Sequence, residues 1–476
     1  MTDPHPVDFQ PQLLAEHFSA RSALGPRTLA ALAALAALLV AMVWMFAAQF
    51  LPVLTMVAPV LYLLSTVDRN VLTLRGIGSP GKVSVSDDDA LAVPDGELPV
   101  YTVLLPVYHE PEIVQNLLRG IGSLNYPTDK LEVLLLTEED DTATAAALRD
   151  VSTAHVRVVV VPEHQPKTKP AACNYGMSLP WLRGEMITIY DAEDIPEPLQ
   201  LRRAVVALRR APADVGCLQA RLCYFNERQN LLTRWFTMEY DQWFAAILPA
   251  VAHARSVVPL GGTSCHLSTR VLREVGGWDA YNVTEDADLG VRLARYGYRT
   301  LILDSITLEE ANSDVINWIR QRSRWYKGYL QTSIVHLRRP RHLRRDIGLK
   351  ATLRLINLTG LVPILNAFNF LLWSAMVVWL VARPPVITLM FPPVSYYTSL
   401  ALLFLAAPMS IFVGLITTVA LGKPYLWWAA LLVPAYWMLQ SIAAIKALYQ
   451  LFFRPSYWEL TAHGLTGSQP TAASTS

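Results

Sequence analysis

Four apolar segments bound what this chain can fold into. Residues 28–68 are almost wholly apolar, and residues 353–381, 395–421 and 425–453 each reach bilayer-crossing length. A spanning helix needs roughly 20 such residues. The chain has 476 residues, of which 53% are hydrophobic and only 17% charged, and the apolar ones are clumped. That pattern predicts a polar domain held between membrane helices. Gln49 and Pro52 interrupt the first segment, which predicts a two-helix transmembrane hairpin over 28–68. Arg21 and Arg27 precede it, and Arg69, Arg75 and Lys82 follow it, so both flanks read as cytoplasmic. About three further helices in 353–453 bring the count to about five and predict an extracytoplasmic C-terminus.

The net charge of +1 excludes a general polyanion binder, and no nucleic-acid partner is expected. Basic residues are local instead, in the run 336–345, which opens a basic interfacial segment over 336–352. Cys173, Cys217, Cys223 and Cys265 show neither a C-x-x-C pair nor zinc-site spacing, as for free thiols in a reducing compartment. Residues 1–27 read as a cytoplasmic leader without a cleavage site, 69–97 as a linker, and 454–476 as a tail with a disordered end.

Residues 98–335 alternate strand-like and helix-like runs. Strands are expected over 100–106, 131–137, 156–161 and 186–190, with amphipathic helices over 111–124 and 142–153. Alternation of this kind gives a mostly parallel, Rossmann-like α/β sheet. Ligands of such sheets bind at the carboxyl ends of the strands, and that is where the acidic residues collect.

Pro106, Tyr108 and Glu110 follow the first strand. Tyr108 can stack on a planar base, and Glu110 can bond a ribose or open the next helix. Glu138-Glu139-Asp140-Asp141 follows the second strand, either as acceptors for a nucleoside or as a solvated helix start. Lys169 opens a helix after the third strand, where a cation and the helix dipole suit a diphosphate. Asp191-Ala192-Glu193-Asp194 follows the fourth. Acids at alternate positions beyond a strand can reach one divalent cation, and magnesium takes one or two carboxylates plus substrate phosphates. Thr284-Glu285-Asp286 opens a helix, with Thr284 a good N-cap and Asp286 a candidate general base. Gln321, Arg324 and Trp325 share one helical face. There Arg324 can clamp a leaving diphosphate, and Trp325 can stack on a sugar.

These motifs, in this order, resemble membrane-bound family 2 glycosyltransferases with a GT-A fold, of the cellulose and hyaluronan synthase kind. The similarity extends to bacterial transferases of the phage N4 adsorption protein B type, which share a Y-D-A-E-D-x-P-E-P signature. The resemblance implies a UDP-sugar donor, Mg2+ or Mn2+, and inversion at the anomeric carbon. It implies that Pro106, Tyr108, Glu110, Glu138, Glu139, Lys169 and Asp191 bind the donor. Asp191 and Glu193 would hold the metal, as D-x-E where the family has D-x-D. Glu285, Asp286 and Arg324 would be catalytic, with Gln321 and Trp325 at the acceptor. The tail Tyr457-Trp458-Glu459-Leu460-Thr461-Ala462-His463-Gly464 resembles a W-E-K-T-x-H-G signature with Leu460 in place of lysine. A tail that gates the active site must share its face of the membrane, in conflict with five spans.

The expected function is inverting, metal-dependent sugar transfer to a glycan or lipid-linked acceptor at the cytoplasmic (inner) membrane. Polysaccharide synthesis coupled to export, with partners in the envelope, is the leading form. Single-sugar transfer to a lipid carrier and an inactive membrane receptor or assembly platform are the alternatives.

Overall fold

The computed structural model describes residues 14–22, 25–79, 81–109, 111, 117, 120–148, 155–385, 387, 393–455 and 457–459. Among the described residues nine strands form one sheet: β1 (Lys82–Val83), β2 (Tyr101–Val107), β3 (Leu131–Glu138), β4 (Val156–Val161), β5 (Met186–Ile189), β6 (Ile195–Pro196), β7 (Val215–Tyr224), β8 (Cys265–Ser268) and β9 (Arg299–Glu309). The four expected strands are thus present within a residue or so of their expected limits. β2 and β3 are buried along nearly their whole length, as strands covered on both faces must be. Their residues alternate between two apolar layers: Tyr101, Val103 and Leu105 face one, Leu104 the other.

The strand order is β1-β9-β7-β8-β5-β2-β3-β4, with β6 beside β9. β2 pairs in parallel with β3 and β5, β3 with β4, β7 with β9, and β9 with β1. Only β8, against β5 and β7, and β6, against β9, run antiparallel. The sheet is therefore mixed but mostly parallel. The carboxyl ends of β2, β3, β5 and β9 line one edge, and the chain enters β8 from that same edge.

The helices used below are α1 (Pro26–Gly76), α2 (Lys169–Ser178), α3 (Gln200–Arg210), α4 (Leu231–Gln242), α5 (Glu285–Arg295), α6 (Val315–Leu337), α7 (Pro340–Leu355), α8 (Val362–Ala382), α9 (Pro393–Ala401), α10 (Ala407–Ala420) and α11 (Val433–Phe453). Two expectations fail at the N-terminal side. Residues 28–68 do not form a hairpin, because α1 is helical throughout. Nothing between Gln49 and Pro52 reverses the chain, and a lone proline with apolar flanks kinks a helix rather than turning it back. Nor are residues 69–97 a linker. β1 pairs with β9, Ala90 buries with Ala204 and Ala207 of α3, and Arg210 pairs with Asp89 at 2.8 Å. The sheet domain therefore begins at Lys82. Of the helix expected over 111–124, only 111, 117 and 120–124 lie within the described residues. The one expected over 142–153 is seen as Thr142–Ala147.

After the sheet domain, two helical stretches among the described residues are long and apolar enough to cross a membrane, Pro340–Ala382 and Pro393–Ala420. A third pair, Pro424–Leu431 and Val433–Phe453, is bent by 65°. Both of its ends touch the sheet domain. Lys423, just before it, pairs with Glu227 at 2.9 Å and Asp241 at 3.1 Å in the sheet domain. Pro455, just after it, accepts a hydrogen bond from Gln331 of α6 at 2.8 Å. Residues 455 and 457–459 of the tail therefore lie against the sheet domain, and the C-terminal end on which the extracytoplasmic expectation falls lies outside the described residues. At the basic segment, α7 buries Leu343 and Leu355 and exposes Arg341, Arg344 and Arg345. Leader residues also dock on the sheet domain, with the Ala20 amide donating to Asp279 at 2.6 Å.

Candidate active site

The turn after β5 is held from beneath. Asp194 is buried, and its carboxylate accepts from the Asp191 amide at 2.7 Å and from the Thr263 hydroxyl. Burial, with Asp191 and Glu193 nearby, holds its pKa well above the usual carboxylate range. Asp194, an alternative metal ligand by sequence, is thus the brace of the turn. Asp191 and Glu193 are left half-exposed at the strand ends. Lys169, at the start of α2, pairs with Asp191 and donates to the Gly262 carbonyl at 3.2 Å. Burial works against the Lys169 charge, but the Asp191 and Glu285 carboxylates more than offset it and raise its pKa.

Glu309, at the end of β9, joins this group and was not among the residues expected there. Burial and then Asp194, Asp191 and Glu193 push its carboxyl well above the ordinary range. Its only signal was an acid closing an alternating strand. Four carboxyls thus face one another with Lys169 as the nearest cation, an excess of negative charge that suits a divalent ion. Among the described residues no three His, Cys, Asp or Glu side chains are set as a ready metal cage. Asp191 and Glu193 fit a two-carboxylate site that substrate phosphates and water would complete.

Glu285 and Asp286 open α5 opposite this turn. Thr284 makes no side-chain cap, contrary to expectation. Its hydroxyl lies against Gly328 of α6, where a Cβ would come within 2.4 Å of it. Gly328 thereby lets α6 close on the start of α5. Gly262, at φ 84°, brings bare backbone toward Asp286, whose Oδ2 would lie 3.2 Å from a Cβ there. Burial pushes Asp286 up to about 6. Burial and the adjoining Asp286 push Glu285 up to about 8. Arg324 of α6 faces Glu285, Asp191 and Asp286, although burial lowers its pKa. The structure thus brings Lys169, Asp191, Glu285, Asp286 and Arg324 together from four separate stretches of sequence.

The second acid cluster lies beside the first along the same edge. Asp141 is buried and accepts from the His109 amide at 2.5 Å and the Thr144 amide at 3.0 Å, capping the short helix at 142. Asp140 pairs with Lys167 at 2.6 Å and accepts from the Tyr108 hydroxyl at 3.4 Å. Glu139 accepts from the Glu163 amide at 3.1 Å. Glu138 is buried 3.6 Å from His164, and burial pushes it up to about 7. Pro106, in β2, lies one strand away from this group. Glu110 lies outside the described residues.

On α6, Gln321 accepts from Asn312 at 3.2 Å, and Trp325 stacks on Tyr240 with ring centroids 6.1 Å apart. Arg322 points the other way and pairs with Glu239 at 2.6 Å. The tail supplies a residue not assigned from sequence: Trp458 lies with its ring 5.0 Å from the Arg324 guanidinium. Lys327 reaches the Tyr457 carbonyl, and Lys446 holds Glu459 at 2.7 Å, fixing the tail over α6.

The sheet domain is similar to known proteins. Residues 99–328 match the family model "Glycosyltransferase like family 2". That stretch, the sheet domain with most of α6, is thus similar to family 2 glycosyltransferases. "Probable glucomannan 4-beta-mannosyltransferase 7" of Oryza sativa subsp. japonica is 30% identical over 240 residues, 49% of this chain and 41% of that protein. "Beta-monoglucosyldiacylglycerol synthase" of Trichormus variabilis is 24% identical over 263 residues, 54% of this chain and 55% of that protein. The chain spans about half the length of the curated relatives it matches. A solved structure, the mannosyltransferase PcManGT from Pyrobaculum calidifontis with GDP-Man and Mn2+, is 19% identical. It covers 85% of this chain and 98% of that chain with a TM-score of 0.49.

Proposed function

We propose that this protein transfers a sugar, with inversion, from a UDP-sugar to an acceptor hydroxyl at the cytoplasmic face of a membrane. The observation that carries this reading is the convergence of Lys169, Asp191, Glu285, Asp286 and Arg324 at one strand edge. Asp286, raised to about 6, is ionised near neutral pH yet basic enough to accept a proton. The acceptor hydroxyl gives that proton to Asp286 as its oxygen bonds to the anomeric carbon. The bond to the donor diphosphate breaks, and its electron pair leaves with the diphosphate. Arg324 and Lys169 face the position where that charge develops. A divalent ion held by Asp191 and Glu193 would add Lewis-acid stabilisation of the same oxygens. Tyr108, with Glu138, Glu139 and Pro106 nearby, would take the nucleoside, and Gln321 and Trp325 the acceptor.

Polymer synthesis with export is the glycan form of this reading, and the plant glucomannan relative supports it. A second form, transfer of one sugar to a lipid, is supported by the glycolipid-forming relative. The test is UDP release by the full-length protein in nanodiscs, supplied with a panel of UDP-sugars and membrane acceptors. Turnover is expected to need Mg2+ or Mn2+ and to fail in Asp286→Asn. Full activity in that variant would remove the base assignment. UDP-sugar binding by calorimetry without turnover under any acceptor condition would favour the assembly-platform alternative.

A further inference from the structure

A cavity of about 690 Å³ lies among α1, α4, α8, α9, α10 and α11, with no residue of the acid clusters in its wall. Its wall changes character along its length. The end nearest the sheet domain carries Arg69, Asn70, Glu239, Gln242, Asn366 and Gln440. α8 turns Val362 and Leu365 and then Asn366 and Asn369 to it, beside Tyr326 of the sheet domain, and Leu372, Ala375 and Trp379 further along. α9 adds Tyr396, Ser399 and Leu400, and α10 adds Ser410 and then Gly414 against Gln242 of α4. A polar mouth on an apolar shaft has the shape of an amphiphile. The volume falls within the roughly 300–1,000 Å³ of small-molecule sites.

Arg69 supplies the head-group preference. It is half-buried at the polar end, and no ion pair engages it among the described residues. The nearby acids are committed elsewhere: Asp68 to Arg354 at 3.3 Å and Asn357 at 3.0 Å, and Glu239 to Arg322 at 2.6 Å. Arginine stays ionised, and a charge beside apolar walls is costly unless paired. Its planar fork matches the oxygens of a phosphate. A neutral glycan would leave that charge without a counter-ion and press hydroxyls against Leu372 and Leu400.

We propose that this cavity binds a phosphate-bearing lipid, with the phosphate on Arg69 and a hydrocarbon chain along Leu372 and Trp379. Occupancy of this site goes beyond the transferase reading and does not depend on it, because no residue of the acid clusters lines the cavity. The full-length protein in detergent is titrated with dioleoyl phosphatidic acid and followed by native mass spectrometry. Parallel arms use dioleoylglycerol, inorganic phosphate and mannohexaose. Phosphatidic acid is expected to bind about tenfold more tightly than dioleoylglycerol, the scale of one bidentate charge-assisted contact. Arg69→Gln is expected to erase that preference, and Leu372→Trp to weaken both lipids by blocking the shaft. Inorganic phosphate alone is expected neither to bind nor to compete at millimolar concentration. A preference for phosphatidic acid unchanged in Arg69→Gln would overturn the site, as would displacement of the lipid by mannohexaose. The same titration on Asp286→Asn is expected to match wild type. Retained lipid binding in a protein that transfers no sugar would therefore sink only the transferase reading.

Discussion

The two acid clusters at the strand edge are built alike and differ in what faces them. In each, the last acid turns inward and accepts a main-chain amide: Asp141 from His109 and Thr144, Asp194 from Asp191. In each, the earlier acids are left toward the cleft. Asp141 has enough donors that its pKa falls below the usual range despite burial. Asp194 also accepts two hydrogen bonds, but deeper burial and the facing Asp191 and Glu193 carboxyls hold it far above that range. Glu309 adds a further carboxyl to that second cluster. The difference teaches that consecutive acids in a sequence are not equivalent evidence. The cluster around 138–141 is neutralised by Lys167 and by helix capping. The one around 191–194 stays in electrostatic excess, with room for added positive charge.

That contrast can be broken by substitution. The largest effect is expected from Asp191→Asn, which should cut sugar transfer by about 10³-fold, on the scale of removing a group that stabilises transition-state charge. Glu139→Gln should change it by less than about tenfold, as for one peripheral polar contact. Equal losses in a UDP-release assay would erase the distinction. Next comes pH. With Asp286 at about 6, kcat/KM should fall about tenfold per pH unit below that value as the base is protonated. An acid limb that persists unchanged in an active Asp286→Glu variant carrying a shifted carboxyl would assign the limb to another group. A smaller effect is expected on stability alone. Asp141→Ala should cost about 1–2 kcal/mol in denaturant unfolding through the lost cap, with donor affinity nearly kept.

The smallest effect concerns Glu138. Burial raises it from 4.5 to about 7, so folding favours its protonated form. The stability this lends is present below about pH 4.5 and is lost as pH rises through about 7. Glu138→Gln, which stays neutral, should therefore melt slightly higher than wild type at pH 8 and level with it at pH 4. A lower melting temperature at pH 8 would show that the ionised carboxylate has a partner the geometry does not reveal.

Much of the site was legible because strand ends announce themselves. A run such as Met186–Ile189 is too apolar to be anything but buried, so the acids after it must lie at an edge. The pairing of Lys169 with Asp191, across 22 residues, was not legible, since it depends on how α2 packs against the sheet. Glu309 was missed because only the β7–β9 register carries it to the same edge. Short elements escaped for lack of length: β1 has two residues, and β8 has four. The membrane region misled in another way. Apolar content measures burial, and α11 meets part of that demand by packing along α6, as Trp318 against Tyr436 at 5.0 Å shows.

Gly328 gives that packing a mechanical meaning. α6 rests on Thr284 with no side chain between them, and α11 lies along the same helix. Such a joint has no slack. A rotation of α6 by a few degrees would displace Thr284 at once, and with it the carboxylates that follow. The distance between α6 and the start of α5, and with it the seat of Asp286, is therefore set by a contact the size of one missing methyl group.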